Sequence, residues 1–379
     1  MSNIYCSACA AILACASTVT ALAAESSALG GGFIAGVDFS HVALFESRGK
    51  VYRDGGQAQD PLAILKKHGI TCVRLRLFTS SAELAQAHPY DSINNLDYNL
   101  PLAVRVKKAE LQFMLDFHYS DSWADPQKQS KPAAWKDLSF EQLEERMYVY
   151  NRDCIAAFRR AGALPDYVQV GNEITPGMLW PEARVGGEYD KPEHWARLGR
   201  LIKAAMRGIR EAAHAGMPKL LIHIDRGGDW GATKWFFDHL REQQVEFDII
   251  GQSYYPFWHG TLEDLRNCLA HTSERYGKPV LIAETGFPWI EKEWDGKPLK
   301  PLVGIAPGKE GQVRFVEELA EVVQGVPNGR GIGIFWWAAE FQPLPGTNLA
   351  GFDGRSFFDH EGNALPVMGA LGRLGRAEK

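Results

Sequence analysis

Strand-length runs of β-branched and other apolar residues recur at 33–38, 71–78, 112–118, 167–173, 220–225, 247–254, 280–284 and 331–337. Several are apolar almost throughout, as strands buried on both faces are. Longer stretches between them repeat apolar residues three and four apart, which predicts helices over 61–68, 100–109, 140–161, 192–214, 234–243, 262–276 and 312–323. Ser139 followed by Gln142 makes a capping-box pattern ahead of the third of these. Strands alternating with helices predict a parallel sheet, and the count of strands favours closure into a (β/α)8 TIM barrel. A doubly wound sheet is the rival, but no Gly-x-Gly-x-x-Gly follows the first run. No Pro/Ser-rich linker or internal repeat interrupts the alternation, so one barrel domain is expected over 30–376.

The 379 residues, 45% of them hydrophobic, can bury a large core, and α/β barrels commonly run beyond about 250 residues as one domain. A net charge of −5 without a basic run or stripe argues against nucleic acid as a partner. Residues 1–24 read as an export signal: Cys6 to Ala24 is apolar and rich in small residues, and Ala21-Leu22-Ala23 precedes Glu25. The usual Lys or Arg near Met1 is missing, and Ile12-Leu13-Ala14-Cys15 offers a lipoprotein-type alternative with Cys15 acylated. The expectation is an exported, extracellular or periplasmic protein, free or lipid-anchored at the envelope. No later segment reaches the roughly 18 apolar residues of a membrane helix, so a soluble monomer is expected. Cys72, Cys154 and Cys268 make no disulfide framework and read as buried small hydrophobes.

Chemistry concentrates at the carboxyl ends of the strands, where βα loops build the sites of such barrels. Two runs deliver a glutamate there, Tyr167-Val-Gln-Val-Gly-Asn-Glu173 and Val280-Leu-Ile-Ala-Glu284. The other ends offer Asp38, Arg74, Arg76, Asp116, His118, His223, Asp225, Tyr254, Trp336 and Trp337. Charges aimed into a barrel must be paired, so a network of Arg, Asp and His is expected to hold the two glutamates in different protonation states. Two such carboxyls can cleave an acetal, one as acid and one as nucleophile or base. For either glutamate alone, an ordinary ion pair with a barrel cation is an equally good account. A metal-dependent hydrolase would want a His-x-His pair after the first strand, where Val37-Asp38 stands. His223-x-Asp225 alone cannot fill a first shell, and neither a metal nor another cofactor is expected. Trp123, Trp135, Trp180 and Trp289 sit in the long loops 121–138, 175–190 and 286–309, where they line a cleft or staple the loops.

The run Leu115-Asp-Phe-His-Tyr-Ser-Asp-Ser-Trp-Ala-Asp-Pro126, with Gln129 and Lys131-Pro-Ala-Ala-Trp135, resembles the hallmark of family 53 glycoside hydrolases, the arabinogalactan endo-β-1,4-galactanases. Val168-Gln-Val-Gly-Asn-Glu-Ile-Thr175, Ile249-Ile-Gly-Gln-Ser-Tyr-Tyr-Pro-Phe-Trp-His-Gly260 and Lys278-Pro-Val-Leu-Ile-Ala-Glu-Thr285 extend the resemblance over about 36–337. It implies a (β/α)8 barrel that cleaves β-1,4-galactan with retention, with Glu173 as acid/base and Glu284 as nucleophile. It further implies Asn172 on the substrate 2-hydroxyl, Tyr254 hydrogen-bonded to the nucleophile, and Arg76 as the strand-two arginine. His118, Asp121, His223 and Asp225 are expected to bind substrate, with Trp123, Trp258 and Trp337 stacking on galactose. The sequence departs from the family where Phe335-Trp-Trp-Ala-Ala339 loses a rim glutamate, for which Glu340 could stand in, and where Arg226 follows Asp225. A clan relative acting on mannan or xylan, and a catalytically silent glycan-binding barrel, are the alternatives.

Overall fold

The eight apolar runs become the eight parallel strands of a closed barrel: β1 Ile34–Asp38, β2 Cys72–Leu77, β3 Gln112–Phe117, β4 Tyr167–Val170, β5 Lys219–Ile224, β6 Ile249–Ser253, β7 Val280–Thr285 and β8 Gly331–Trp336. Each pairs with its sequence neighbour and β8 closes onto β1, with Ile34 opposite Gly333 and Val37 opposite Trp336. The computed structural model describes residues 32–291, 301–344, 347 and 351–376. The segment expected to be an export signal lies outside the described residues.

The barrel interior is filled in two chemically distinct layers. Ile34, Cys72, Met114, Tyr167, Leu221, Ile249, Leu281 and Phe335 form an apolar plug at the amino-terminal end. A Cβ on Gly36 would stand 2.4 Å from the Phe335 ring, so only glycine lets that ring fill the axis. Two residues further along β2 to β5, and four further along β1 and β6 where Gly36 and Gly251 intervene, polar side chains take over the interior. There they are Asp38 below the site, Arg74, Asp116, Gln169, His223 and Ser253, all buried. Cys72, Cys154 and Cys268 are all buried and free.

Helices α1 Pro61–His68, α2 Leu96–Lys108, α3 Phe140–Arg160, α4 Pro192–Ala213, α5 Trp230–Glu242, α6 Leu262–Tyr276, α7 Lys309–Gln324 and α8 Pro366–Leu374 surround the sheet. The predicted capping box of α3 is present, Ser139 Oγ accepting from Gln142 N–H and Gln142 Oε1 from Ser139 N–H. Helix α2 begins four residues before its apolar periodicity does, because Asn95 Oδ1 caps it by accepting from Tyr98 N–H. Helix α5 starts early for the same reason, with Asp229 accepting from Ala232 N–H. Helix α8, unforeseen in the sequence, packs against α7 and α1 and so completes the ring beside β1. Among the described residues no helix is long and apolar enough to cross a membrane.

Candidate active site

Arg74 organises the polar layer. Its guanidinium is fully buried and every one of its N–H bonds has an acceptor: Gln169 Oε1 at 3.2 Å, Asp38 Oδ2 at 3.1 Å, Glu284 Oε1 at 2.8 Å, Asp116 Oδ2 at 2.7 Å and Asn172 Oδ1 at 2.8 Å. Five donors in a rigid fork are what an arginine has to give. Burial alone would raise the Asp116 carboxyl, yet the charge of Arg74, with help from His118, holds it below its ordinary range.

Glu284 reaches this layer through an irregularity in β7. Leu281 and Ala283 face the interior plug, so strict alternation would turn residue 284 outward. The register between β6 and β7 shifts there, Gln252 pairing with Ile282 but Ser253 with Glu284. The extra residue swings the carboxylate inward, the kind of re-aiming for which bulges are found beside active sites. Oε1 then receives Arg74, and Oε2 receives the Tyr255 hydroxyl at 3.2 Å. Burial raises its carboxyl, while Arg74 pulls it back toward ionisation.

Glu173 comes to the same place from a different backbone. Strand β4 stops at Val170, Gly171 takes φ +87°, and Glu173 itself sits at φ +47°. A left-handed glutamate is strained by about 1–2 kcal/mol, and Gln129 offsets this by donating from Nε2 to the Asn172 carbonyl at 2.8 Å. The carboxyl receives the Ser253 hydroxyl on Oε1 at 2.6 Å and has no cation in contact among the described residues. Burial, then the charges of Glu284 and Asp225, push it well above its ordinary value. The two carboxyls are therefore held unequally: both are raised by burial, but Glu284 has Arg74 to pull it back and Glu173 has only a hydroxyl. An inequality of this kind suits acid–base and nucleophilic work on an acetal.

The profile of Glycosyl hydrolase family 53 matches residues 34–371. The chain belongs to that family. It is 40% identical to an uncharacterized protein of Niallia circulans, covering 89% of this chain and 93% of the relative. It is 33% identical to the arabinogalactan endo-beta-1,4-galactanase of Thermothelomyces thermophilus, over 89% of this chain and 98% of the relative. The family 53 catalytic domain of Ignisphaera aggregans superposes with a TM-score of 0.82 at 33% identity, covering 91% of this chain and 97% of that one.

Two side chains of this family 53 barrel differ from the expected placement. The strand-two arginine on Glu284 is Arg74, not Arg76. The two share a face, but Arg76 lies opposite Asp116, one rung higher, and its NH2 donates to His41 Nδ1 at 2.7 Å. The tyrosine on Glu284 is Tyr255, not Tyr254. Alternation from the inward Ser253 turns Tyr254 outward, and its buried hydroxyl donates to the Gly260 carbonyl at 3.0 Å.

The remaining candidates divide into those that meet the cleft and those that build it. His118 accepts Ala124 N–H on Nδ1 at 3.0 Å and donates from Nε2 to Asp116 at 2.9 Å, while Asn172 Nδ2 donates to the Ala124 carbonyl at 2.9 Å. The two thus hold Ala124 by its N–H and its carbonyl, next to Trp123. Asp121 spends both oxygens on its own loops, Oδ1 accepting from Thr79 Oγ1 and Oδ2 from Ala133 N–H. Asp225 accepts the Thr175 hydroxyl at 2.6 Å and lies 3.3 Å from Arg226, which leans out over the rim. Trp123 covers the Arg76 guanidinium at 4.0 Å and meets Trp337 edge-on at 6.0 Å. Trp258 is 56% exposed, with its ring 5.5 Å from that of Tyr255. Trp135 is buried against Tyr150 and does not line the cleft. Ser253, Gln169 and Tyr255 are the functional neighbours that the reading of strand ends passed over. Period-two counting from Ile249 would have brought in Ser253 and Tyr255, and from Tyr167 Gln169.

Glu340 does not replace the missing rim glutamate. It is buried against the segment that follows β1, with Oε1 accepting His41 N–H at 2.7 Å and Oε2 unpartnered among the described residues. Burial, then the charge of Asp38, raises its carboxyl to about 8. A folded-state value above the ordinary 4.5 contributes stability that is full below pH 4.5 and is lost as pH rises through about 8. A Glu340→Gln variant keeps the acceptor for His41 and removes the titration. It is expected to melt several degrees above the parent at pH 9 and close to it at pH 4.5, by thermal melts across that range. Parallel pH profiles of the two proteins would show that Glu340 does not carry this dependence.

Proposed function

We propose that this family 53 protein is an exported, retaining endo-β-1,4-galactanase acting on galactan and the arabinogalactan side chains of pectin. The observation that carries the reading is the inequality of the two glutamates: Arg74 and Tyr255 serve Glu284, whereas a lone hydroxyl serves Glu173. In the first step Glu284 attacks the anomeric carbon while Glu173 gives its proton to the departing glycosidic oxygen. In the second, ionised Glu173 takes a proton from water, which attacks the same carbon and releases Glu284. Asn172, whose Oδ1 is held by Arg74 and one Nδ2 hydrogen by Ala124, keeps a second Nδ2 hydrogen for a sugar hydroxyl. Trp123, Trp337 and Trp258 offer ring faces and edges to galactose, and Asp225 and Arg226 border the leaving-group side of Glu173. His118, Asp121, His223 and Arg76 act by holding these groups in place.

The test is product analysis on unbranched β-1,4-galactan, with mannan and xylan alongside and Glu173→Ala and Glu284→Ala as controls. Short galacto-oligosaccharides whose new reducing ends first appear as the β-anomer are expected. Preferential cleavage of mannan or xylan, or a first-formed α-anomer, would overturn the reading. The exposed Trp258 makes a separate point: stacking by an aromatic ring is worth about 1 kcal/mol. Trp258→Ala is expected to raise KM on long galactan about fivefold and leave kcat nearly unchanged, as steady-state kinetics will show.

A further inference from the structure

A chain of hydrogen bonds runs from Arg74 to Glu173 without using the cleft. Arg74 Nε donates to Gln169 Oε1, so the Gln169 amide turns its Nε2 toward Asp116 Oδ1 at 2.6 Å and His223 Nδ1 at 3.0 Å. His223 is wholly buried and its Nε2 lies 2.9 Å from Ser253 Oγ, which donates onward to Glu173 Oε1 at 2.6 Å. An arginine can only donate, and a primary amide held by its oxygen presents only hydrogens at its nitrogen. His223 Nδ1 also lies 3.0 Å from Asn172 Oδ1, which accepts from Arg74, so direction is set from the other end. An ionised Glu173 can only accept from the serine hydroxyl, the serine oxygen then takes the Nε2 proton, and Nδ1 is left to accept from Gln169.

We propose that Ser253 and His223 are positioning residues that keep Oε1 of Glu173 permanently an acceptor, so that the proton passed to and from substrate resides on Oε2. This rests on the reading of Glu173 as the acid/base. Glu173 Oε2 has no hydrogen bond from any described residue, and the side chain keeps its 9% exposure toward the cleft. Were the polarity reversed, the acidic proton would be spent on Ser253, pointing away from the glycosidic oxygen. The same arginine is thus linked to both carboxyls, to Glu284 by direct contact and to Glu173 through Gln169, His223 and Ser253. The charged and titratable groups that face these residues are Glu284, Asp225 and Arg74 around Glu173, and Arg74, Asp116, His118 and His259 around His223. Burial, and next Arg74, keep His223 neutral, so it stays one hydrogen short of imidazolium while the relay holds.

Nitrogen-15 NMR of the histidine rings in the intact protein tests the direction, with the His223 signals assigned by their displacement in Ser253→Ala. The proton is expected on Nε2 from pH 5 to 8, and equally in Glu173→Gln, whose amide oxygen can still accept from Ser253. A proton on Nδ1 in either protein overturns the proposal. Ser253→Ala removes a hydrogen bond to the ionised form of Glu173, so Glu173 should hold its proton to higher pH. The basic limb of kcat/KM is expected to move upward, and kcat at neutral pH to fall about tenfold where hydrolysis of the glycosyl-enzyme limits the rate. An unmoved basic limb also overturns it. Glu173→Ala with azide and an aryl β-galacto-oligosaccharide separates the two claims. Formation of the β-glycosyl azide upholds the acid/base reading whatever His223 shows, and failure of azide to restore turnover removes that reading on its own.

Discussion

A Glu284→Gln variant is expected to cleave galactan on the order of 10⁴- to 10⁶-fold more slowly than the parent, as removal of an essential nucleophile does in other hydrolases. The substitution is close to isosteric. Its amide oxygen can still accept Arg74, and Arg74 retains Asp38 and Asp116, so the fold is expected to survive with a melting temperature within a few degrees of the parent. What disappears is an anionic oxygen beside the anomeric carbon. Because Glu284 is a carboxyl raised by burial and only partly pulled back by Arg74, neutralising it removes a desolvated charge rather than a well-solvated one. The decisive measurement is single-turnover release of reducing ends together with a thermal melt. A folded variant that retains even about one part in a hundred of parental activity would take the nucleophile's role away from Glu284.

The backbone of this reading was visible in the chain because parallel strands buried on both faces must be apolar, and each of the eight such runs lies in a barrel strand. Helix α8 escaped because nine residues carry too little periodicity, and the starts of α2 and α5 escaped because caps, not apolar spacing, set them. At the site, sequence parity resolves which face a residue takes but not its height along the barrel axis. Arg74 and Arg76 have equal parity, and only the register that sets Arg74 opposite Asp38 tells which one stands level with Glu284. Parity does resolve Tyr254 from Tyr255, and it is the tyrosine two residues beyond Ser253 that faces inward. For Glu284 parity misleads, since the shift between β6 and β7 is a property of paired strands and leaves no mark in either one. The left-handed turn at Glu173 likewise depends on Gly171 and on a contact from Gln129, more than forty residues away in the chain.

Replacement of Arg74 by methionine is expected to damage stability and chemistry together, by about 3–5 kcal/mol at neutral pH for breaking buried ion pairs. The methionine fills much of the volume but leaves Asp38, Asp116 and Glu284 without the guanidinium that all three touch. The sign of the pH dependence should change with it. In the parent Asp116 is held below its ordinary 3.8, so its contribution is present above pH 3.8 and is lost as the pH falls through the lower folded-state value. Without Arg74, burial alone acts on these carboxyls and raises them. The variant should then be most stable near pH 4 and lose stability as the pH rises toward 7. Activity should fall at least about 10²-fold near neutrality, because Arg74 is what separates the two glutamates. Stripped of it, Glu284 ionises at higher pH, and the pair behaves as two similar buried acids whose titrations overlap. The acid limb of kcat/KM therefore moves upward toward the basic limb, narrowing the active range from below. Urea melts at pH 4.5 and 7.5 and a kcat/KM profile measure both halves. A variant with the parent's stability slope and acid limb would mean that Arg74 neither neutralises the carboxyl layer nor sets the nucleophile.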